Sequence, residues 1–278
     1  MQSFRVAAIA LNPVMGEVQV NLSKMLHWIT AALDAGARLI VFPEGFLSGY
    51  CLDKIGVSAL DANAPAVLAL QKVAAAHAVW ISYGLFERAA AGVYVSQFYA
   101  GPCGTLTYRK CHLTAAEKRC CLAGDELSIQ DLGFVKVGTQ ICYDSAFPRA
   151  SETLVRRGAE LLVSPTGHTC DWKAGEPGSR DELIQKRRRH VQKYWRARAY
   201  DYSCYGIYVD NAGETMGGEW FPGYVGVFGP DGETVAENSS GEEAMVIADL
   251  DGERLKHARA EWVGHYQALA DARPELYD

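Results

Sequence analysis

The feature that most constrains this chain is an alternation, from its first residues, of short apolar runs with stretches of helical period. Phe4–Ala10 (FRVAAIA) is apolar at nearly every position, as expected of a strand covered on both faces. Residues 21–35 follow as a helix. Leu22, Met25, Leu26, Ile29 and Leu33 recur at helical spacing, and Gly36 stands where a helix-ending glycine belongs. Residues 38–42 read as a strand that runs into Pro43-Glu44-Gly45. The same logic gives helices over 65–77, 146–157, 181–202 and 253–270. It gives strands over 79–86, 93–100, 106–109, 134–142, 160–164, 205–209, 224–228 and 245–248. Turn-rich connections such as Pro230-Asp231-Gly232 favour mixed sheets over a purely parallel one. Residues 171–181 (DWKAGEPGSRD) read as an irregular surface loop. No repeat, low-complexity segment or linker interrupts the pattern, so residues 1–278 are expected to form a single α/β domain.

Composition narrows the functional classes. Of the 278 residues, 49% are hydrophobic and 22% charged, which excludes the profile of a disordered chain. A formal net charge of −6 gives no general affinity for nucleic acid. No apolar run approaches the roughly 18 residues needed to cross a bilayer. Met1-Gln2-Ser3-Phe4-Arg5 does not read as an export signal. The eight cysteines are Cys51, Cys103, Cys111, Cys120, Cys121, Cys142, Cys170 and Cys204, with no Cys-x-x-Cys pair. Free thiols in a reducing cytoplasm are the expectation.

Three reactive side chains share one position: each lies at the end of an expected strand. Glu44 follows Leu39-Ile40-Val41-Phe42, Lys110 follows Leu106-Thr107-Tyr108-Arg109, and Cys142 follows Val137-Gly138-Thr139-Gln140-Ile141. Active-site groups of α/β folds gather outside the carboxyl ends of strands. A carboxylate can act as general base toward a thiol, and a lysine ammonium can stabilise a thiolate or an oxyanion. The helix expected after Cys142 would add its N-terminal amides. Taken singly, a strand-end Glu or Lys is usually solvated and a lone Cys usually a small core residue. His112 and His168 offer a competing Cys–His pairing. His112 is expected to line or back the pocket. Cys103, Cys111, His112, Cys120 and Cys121 fall in one region but lack the paired spacing of a structural zinc site, so no metal is expected. The run Lys186-Arg187-Arg188-Arg189-His190, with Lys193 and Arg196, reads as a helix face rather than a nucleic-acid patch.

At these residues the chain resembles the nitrilase superfamily of carbon–nitrogen hydrolases. Val41-Phe42-Pro43-Glu44 is similar to the segment around the family's catalytic glutamate. Tyr108-Arg109-Lys110-Cys111-His112-Leu113 resembles its lysine segment. Gln140-Ile141-Cys142-Tyr143-Asp144-Ser145-Ala146-Phe147-Pro148 resembles its nucleophile elbow. Gly158-Ala159-Glu160-Leu161-Leu162-Val163-Ser164-Pro165, Ala197-Arg198-Ala199 and Arg273-Pro274-Glu275-Leu276-Tyr277 are further matches, and Arg198 is expected to be buried. Glu117 matches the family's second glutamate, which helps orient the lysine. It precedes Gly124-Asp125, with Ala123 in place of the usual proline.

The resemblance implies a four-layer α-β-β-α sandwich and a homodimer or larger homo-oligomer. It implies no cofactor, and hydrolysis of a small-molecule carboxamide through a thioester on Cys142. Glu44 and Lys110 would be the catalytic partners and the Tyr143 N–H an oxyanion donor. N-carbamoyl compounds, nitriles, or a catalytically silent binding role are the alternatives. Tyr143-Asp144 resembles the amidase and carbamoylase branches more than the Trp-Glu of nitrilases. Phe46, Tyr50, Tyr143, His168 and Trp172 are the expected substrate-binding residues. Relatives that bind a substrate carboxylate do so through arginines just after the cysteine, where this chain has Ser145 and Ala146. A less cationic wall and a preference for neutral carboxamides are therefore expected, unless an arginine from 180–198 replaces the missing one.

Overall fold

Strand β1 (Phe4–Ala10) shows why its sequence is apolar throughout. Val6, Ala8 and Ala10 face one hydrophobic layer, while Ala7 and Ile9 face another. The computed structural model describes residues 1–170, 179–215, 220–260 and 265–276. After β1 come α1 (Val18–Asp34), β2 (Leu39–Val41), the single turn α2 (Ile55–Ser58) and α3 (Pro65–His77). Then follow β3 (Trp80–Ala89), β4 (Gly92–Gly101), β5 (Gly104–Arg109), β6 (Ile129–Asp131), β7 (Lys136–Thr139), α4 (Pro148–Arg156) and β8 (Leu161–Thr166). The chain continues through α5 (Arg180–Asp201), β9 (Tyr205–Asp210), β10 (Ala212–Glu214), β11 (Trp220–Pro222), β12 (Val225–Phe228), β13 (Thr234–Asn238) and β14 (Ala244–Leu250). It ends in α6 (Gly252–Ala260) and α7 (His265–Asp271).

Two six-stranded sheets result, in the orders β14-β1-β2-β3-β4-β5 and β13-β12-β9-β8-β7-β6. Both are mixed. In the first, β1-β2-β3 are parallel and flanked by antiparallel strands. In the second, β7-β8-β9 are parallel. Val6, Val41, Val137, Val163, Ile207 and Val227 interdigitate between the sheets. The outer face of the first sheet packs on α1 and α3 through Met25, Ile29, Leu70 and Ala74. The outer face of the second packs on α4 and α5 through Leu154, Val191, Trp195 and Ala199. This is the four-layer α-β-β-α arrangement that the resemblance implies. Among the described residues no helix is long and apolar enough to cross a membrane.

Several element boundaries differ from the sequence reading, each for a local reason. The strand expected over 134–142 stops at Thr139, and Cys142–Ala146 forms a 3-10 turn instead. The helix expected from 146 begins at Pro148, whose missing N–H and fixed φ suit the first helical position. Strands β6, β10, β11 and β13 escaped the sequence reading because three span only three residues and β13 (TVAEN) is a polar edge strand. Helix α5 starts at a reciprocal cap, in which the Glu182 N–H donates to Ser179 Oγ and the Ser179 N–H to Glu182 Oε2. Most of the loop read over 171–181 lies outside the described residues, as do 261–264 within the helix read over 253–270.

Candidate active site

Strands of the two sheets bring five chain segments to one end of the sandwich, four of them from the parallel trios and one from β5. Glu44 leaves β2, Lys110 leaves β5, Cys142 follows β7, Gly167 leaves β8 and Asn211 leaves β9. The turn that carries Glu44 is pressed between neighbours. A Cβ on Gly84 of β3 would lie 2.2 Å from the Gly45 nitrogen and 2.6 Å from the Pro43 oxygen, so only glycine lets β3 approach. Gly45 itself adopts φ +62°. From the other sheet, Asn211 Nδ2 donates to the Glu44 carbonyl at 3.1 Å.

The ionisable groups form a buried cluster of two carboxylates around one ammonium. Lys110 Nζ donates to Glu44 Oε1 at 2.6 Å and to Glu117 Oε1 at 2.7 Å, with all three side chains fully buried. Glu44 Oε2 accepts from the Gly167 N–H at 2.8 Å. Glu117 accepts from the Tyr50 hydroxyl at 2.9 Å and the Thr114 N–H at 2.7 Å. Burial pushes the Glu44 carboxyl up to about 7, against the pull of Lys110, and the negative Glu117 adds to the rise. Glu117 goes the other way: burial opposes its charge, but Lys110 and its hydrogen bonds hold it below the usual range. Two acids on one cation are thereby split, one ionised and one poised near neutrality.

Cys142 sits in a sharp turn with φ +45°, a left-handed conformation that costs about 1–3 kcal/mol outside glycine. Asp144 holds that turn. Its carboxylate accepts from the Tyr108 hydroxyl at 2.8 Å, the Ile141 N–H at 3.1 Å and the His112 N–H at 2.8 Å, and it meets His112 Nδ1 at 2.7 Å. Arg198, buried as expected, donates to the Ser145 carbonyl at 2.7 Å and to Ser151 Oγ at 3.2 Å. His112 is therefore engaged by Asp144 and stacked on Phe147 at 4.0 Å, so it supports the turn and the Cys–His reading gains nothing from it. One expectation is corrected. Burial pushes the Cys142 thiol well up, Glu44 adds to the rise, and Lys110 only partly opposes it, so the resting side chain is a thiol rather than a stabilised thiolate.

A cavity of about 400 Å³ opens on Cys142, with Tyr143, Thr166, His168, Arg187 and Tyr194 among its walls. Of the expected binding residues, Tyr143 and His168 line it. Phe46 does not: it is fully buried in the core between the first sheet and its helices, stacked on Phe42 at 6.3 Å. Tyr50 instead supports Glu117 from the side and stacks on Phe86 at 5.8 Å. Trp172 lies outside the described residues. The expected weakly cationic wall is also corrected, because α5 presents Arg187, His190 and Arg198 to the cavity. Gly167, Asn211 and Asp144 were missed as site residues, and Arg187 was foreseen only as an unspecified arginine from 180–198. The acidic residue two positions after Cys142 was visible in sequence. The others carry no local signal, since they act across 123 residues from Gly167 to Glu44 and 167 from Asn211 to Glu44. Among the described residues no three His, Cys, Asp or Glu side chains gather in a metal-holding group.

Comparison with known proteins identifies the family. The family profile described as carbon-nitrogen hydrolase matches residues 5–260. The chain is 31% identical to the "Hydrolase in pqqF 5'region" of Pseudomonas protegens over 285 residues, covering 100% of this chain and 92% of that one. It is 29% identical to the omega-amidase NIT2 of Homo sapiens, covering 93% of this chain and 92% of the relative. A solved CN-hydrolase superfamily protein from Xanthomonas campestris, with an arsenic adduct in its active site, superposes with a TM-score of 0.81 at 21% identity, covering 98% of each chain. The profile and the relatives show that the chain belongs to the carbon-nitrogen hydrolase family, enzymes that cleave non-peptide carbon–nitrogen bonds.

Proposed function

We propose that the protein hydrolyses a small-molecule carboxamide to a carboxylic acid and ammonia through a thioester on Cys142. The observation that carries this reading is the Glu44–Lys110–Glu117 cluster beneath a cysteine turn that opens on a cavity. A carboxyl poised near 7 can take and return a proton at neutral pH. Glu44 takes the Cys142 thiol proton as Sγ bonds to the carbonyl carbon. The oxyanion is met by Lys110 and the Tyr143 N–H. The tetrahedral intermediate collapses, the C–N bond breaks, and the proton held by Glu44 passes to the departing ammonia. Water then attacks the thioester while Glu44 takes its proton. The acid leaves and the proton returns to Sγ, restoring the thiol. Glu117 keeps Lys110 charged and in place and is itself held by Tyr50.

The omega-amidase name of a relative supports an amide as the bond cleaved. The test is an acid-quenched assay for ammonia across carboxamides, N-carbamoyl compounds and nitriles. Carboxamide turnover with a trapped Cys142 acyl-enzyme is expected, and Cys142→Ala should abolish it. Turnover that survives in Cys142→Ala would overturn the reading.

A further inference from the structure

We infer that the substrate carries a free carboxylate in addition to its amide, and that Arg187 binds that carboxylate and sets specificity. The inference rests on the amidase reading of the same site and adds its substrate class.

Arg187 differs from Arg188, Arg196 and Arg198 of the same helix. Arg188 is paired with Glu237 and Arg196 with Glu233. Arg198 reaches the cavity but already holds the Ser145 carbonyl and Ser151. Arg187 lines the same cavity as Cys142, only 12% of its side chain is exposed, and its buried Nε has no hydrogen-bond partner among the described residues. The nearest acid, Asp210, lies 3.7 Å away, outside hydrogen-bond reach. Asp210 is already occupied: it accepts from the His168 N–H at 3.1 Å and the Tyr208 hydroxyl at 3.2 Å. A largely buried guanidinium that faces Asp210 at ion-pair distance but has no hydrogen-bond acceptor at Nε, and lines the cavity of the nucleophile, has donors left over for a planar anion.

The surroundings favour an anion over a neutral group. A second cavity of about 590 Å³ shares His168, Arg187 and His190 with the first, and Lys186, Arg189 and Lys193 line it. Among the described residues no carboxylate side chain lines either cavity. In a chain of net charge −6 this is a local reversal of sign, which draws small anions toward Cys142. Burial, Arg187 and Lys193 hold His190 below the usual histidine range, so at neutral pH it can donate or accept without adding charge. A substrate with a purely apolar tail would close the cavity over Arg187 and leave its N–H donors without acceptors, since Asp210 lies outside hydrogen-bond reach. Two compound classes supply the required chemistry: a dicarboxylic acid monoamide and an N-carbamoyl amino acid.

The test compares matched pairs in the full-length enzyme: succinamate against butyramide, and N-carbamoyl-β-alanine against N-propylurea. We expect kcat/KM for the carboxylate member of at least one pair to exceed its neutral partner by tenfold or more, about 1.4 kcal/mol. Most of the difference should lie in KM. In Arg187→Met the ratio should fall toward one, and Arg187→Lys should restore part of it. Because each ratio is taken within one protein sample, partial unfolding of a variant does not alter it. Wild-type ratios below ten in both pairs, or a ratio that Arg187→Met leaves in place, overturn the inference while the amidase reading stands. No ammonia from any of the four compounds would remove the amidase reading, and the inference with it.

Discussion

Glu44 is the residue on which the chemistry turns, because three competing influences set its acidity. Burial favours its neutral form, Lys110 at 2.6 Å favours the anion, and Glu117 opposes the anion again. The outcome, a carboxyl at about 7, sets the expected pH profile. The base form is required, so kcat/KM should climb about tenfold per pH unit below about 7 and level off above it. An acid limb centred below pH 5 would exclude Glu44 as the base. Stability moves in the opposite sense. The folded state keeps a proton that the unfolded chain releases from an ordinary pKa of 4.5, so Glu44 lowers stability as pH rises from about 4.5 to about 7. Glu44→Gln should remove that slope in melting experiments. The thiol makes a second residue-scale prediction. With its own pKa pushed up, Cys142 depends on Glu44 for reactivity. Iodoacetamide should alkylate Cys142 at neutral pH in the wild type, and Glu44→Gln should slow that reaction tenfold or more. Equal rates in the two proteins, read by peptide mapping, would show that a free thiolate exists at rest.

At the scale of elements, backbone proximity does as much as side-chain chemistry. Strand β3 touches the Pro43-Glu44-Gly45 turn through Gly84, and the space for one methyl group is absent. Gly84→Ala should therefore displace Glu44 from Lys110. It should cost about 1–3 kcal/mol or more of stability by overpacking and lower kcat by at least tenfold. A Gly84→Ala enzyme with wild-type kcat and melting temperature would show that the turn adapts freely. The Cys142 turn is held in the same manner from several elements. Asp144 binds the Tyr108 hydroxyl at the end of β5 and the His112 N–H just beyond it, while Arg198 of α5 fixes the Ser145 carbonyl. Asp144→Ala leaves these donors without their acceptor, an effect of about 1–3 kcal/mol per buried donor. Cys142 alkylation should slow in that variant even where the fold survives.

Across the whole molecule, the candidate site exists only because two sheets face each other. Glu44 and Lys110 come from the first sheet, and Cys142, Gly167 and Asn211 from the second. In a denaturant titration, activity should vanish no later than the fluorescence change of Trp195, which is buried between α5 and the second sheet. Activity that outlasts that change would mean the site survives separation of the layers. The amino-acid sequence by itself determined the layered α/β character, through runs such as Phe4–Ala10 that must be covered on both faces. It also marked Glu44, Lys110, Glu117 and Cys142, because a strand end and a motif are local and can be read along the chain. Short or polar strands such as β6 and β13 stayed hidden, since pairing rather than side-chain period makes them strands. The sequence expectation of a weakly cationic wall failed for a related reason. The positions after Cys142 indeed hold Ser145 and Ala146, yet Arg187 reaches the cavity from a helix 45 residues onward. Only the tertiary structure decided which nitrogen meets Glu44, which arginine lacks a hydrogen-bond acceptor and how far burial raises each acid. These depend on distances between residues that the chain order does not constrain, and electrostatic energy follows distance and burial rather than order.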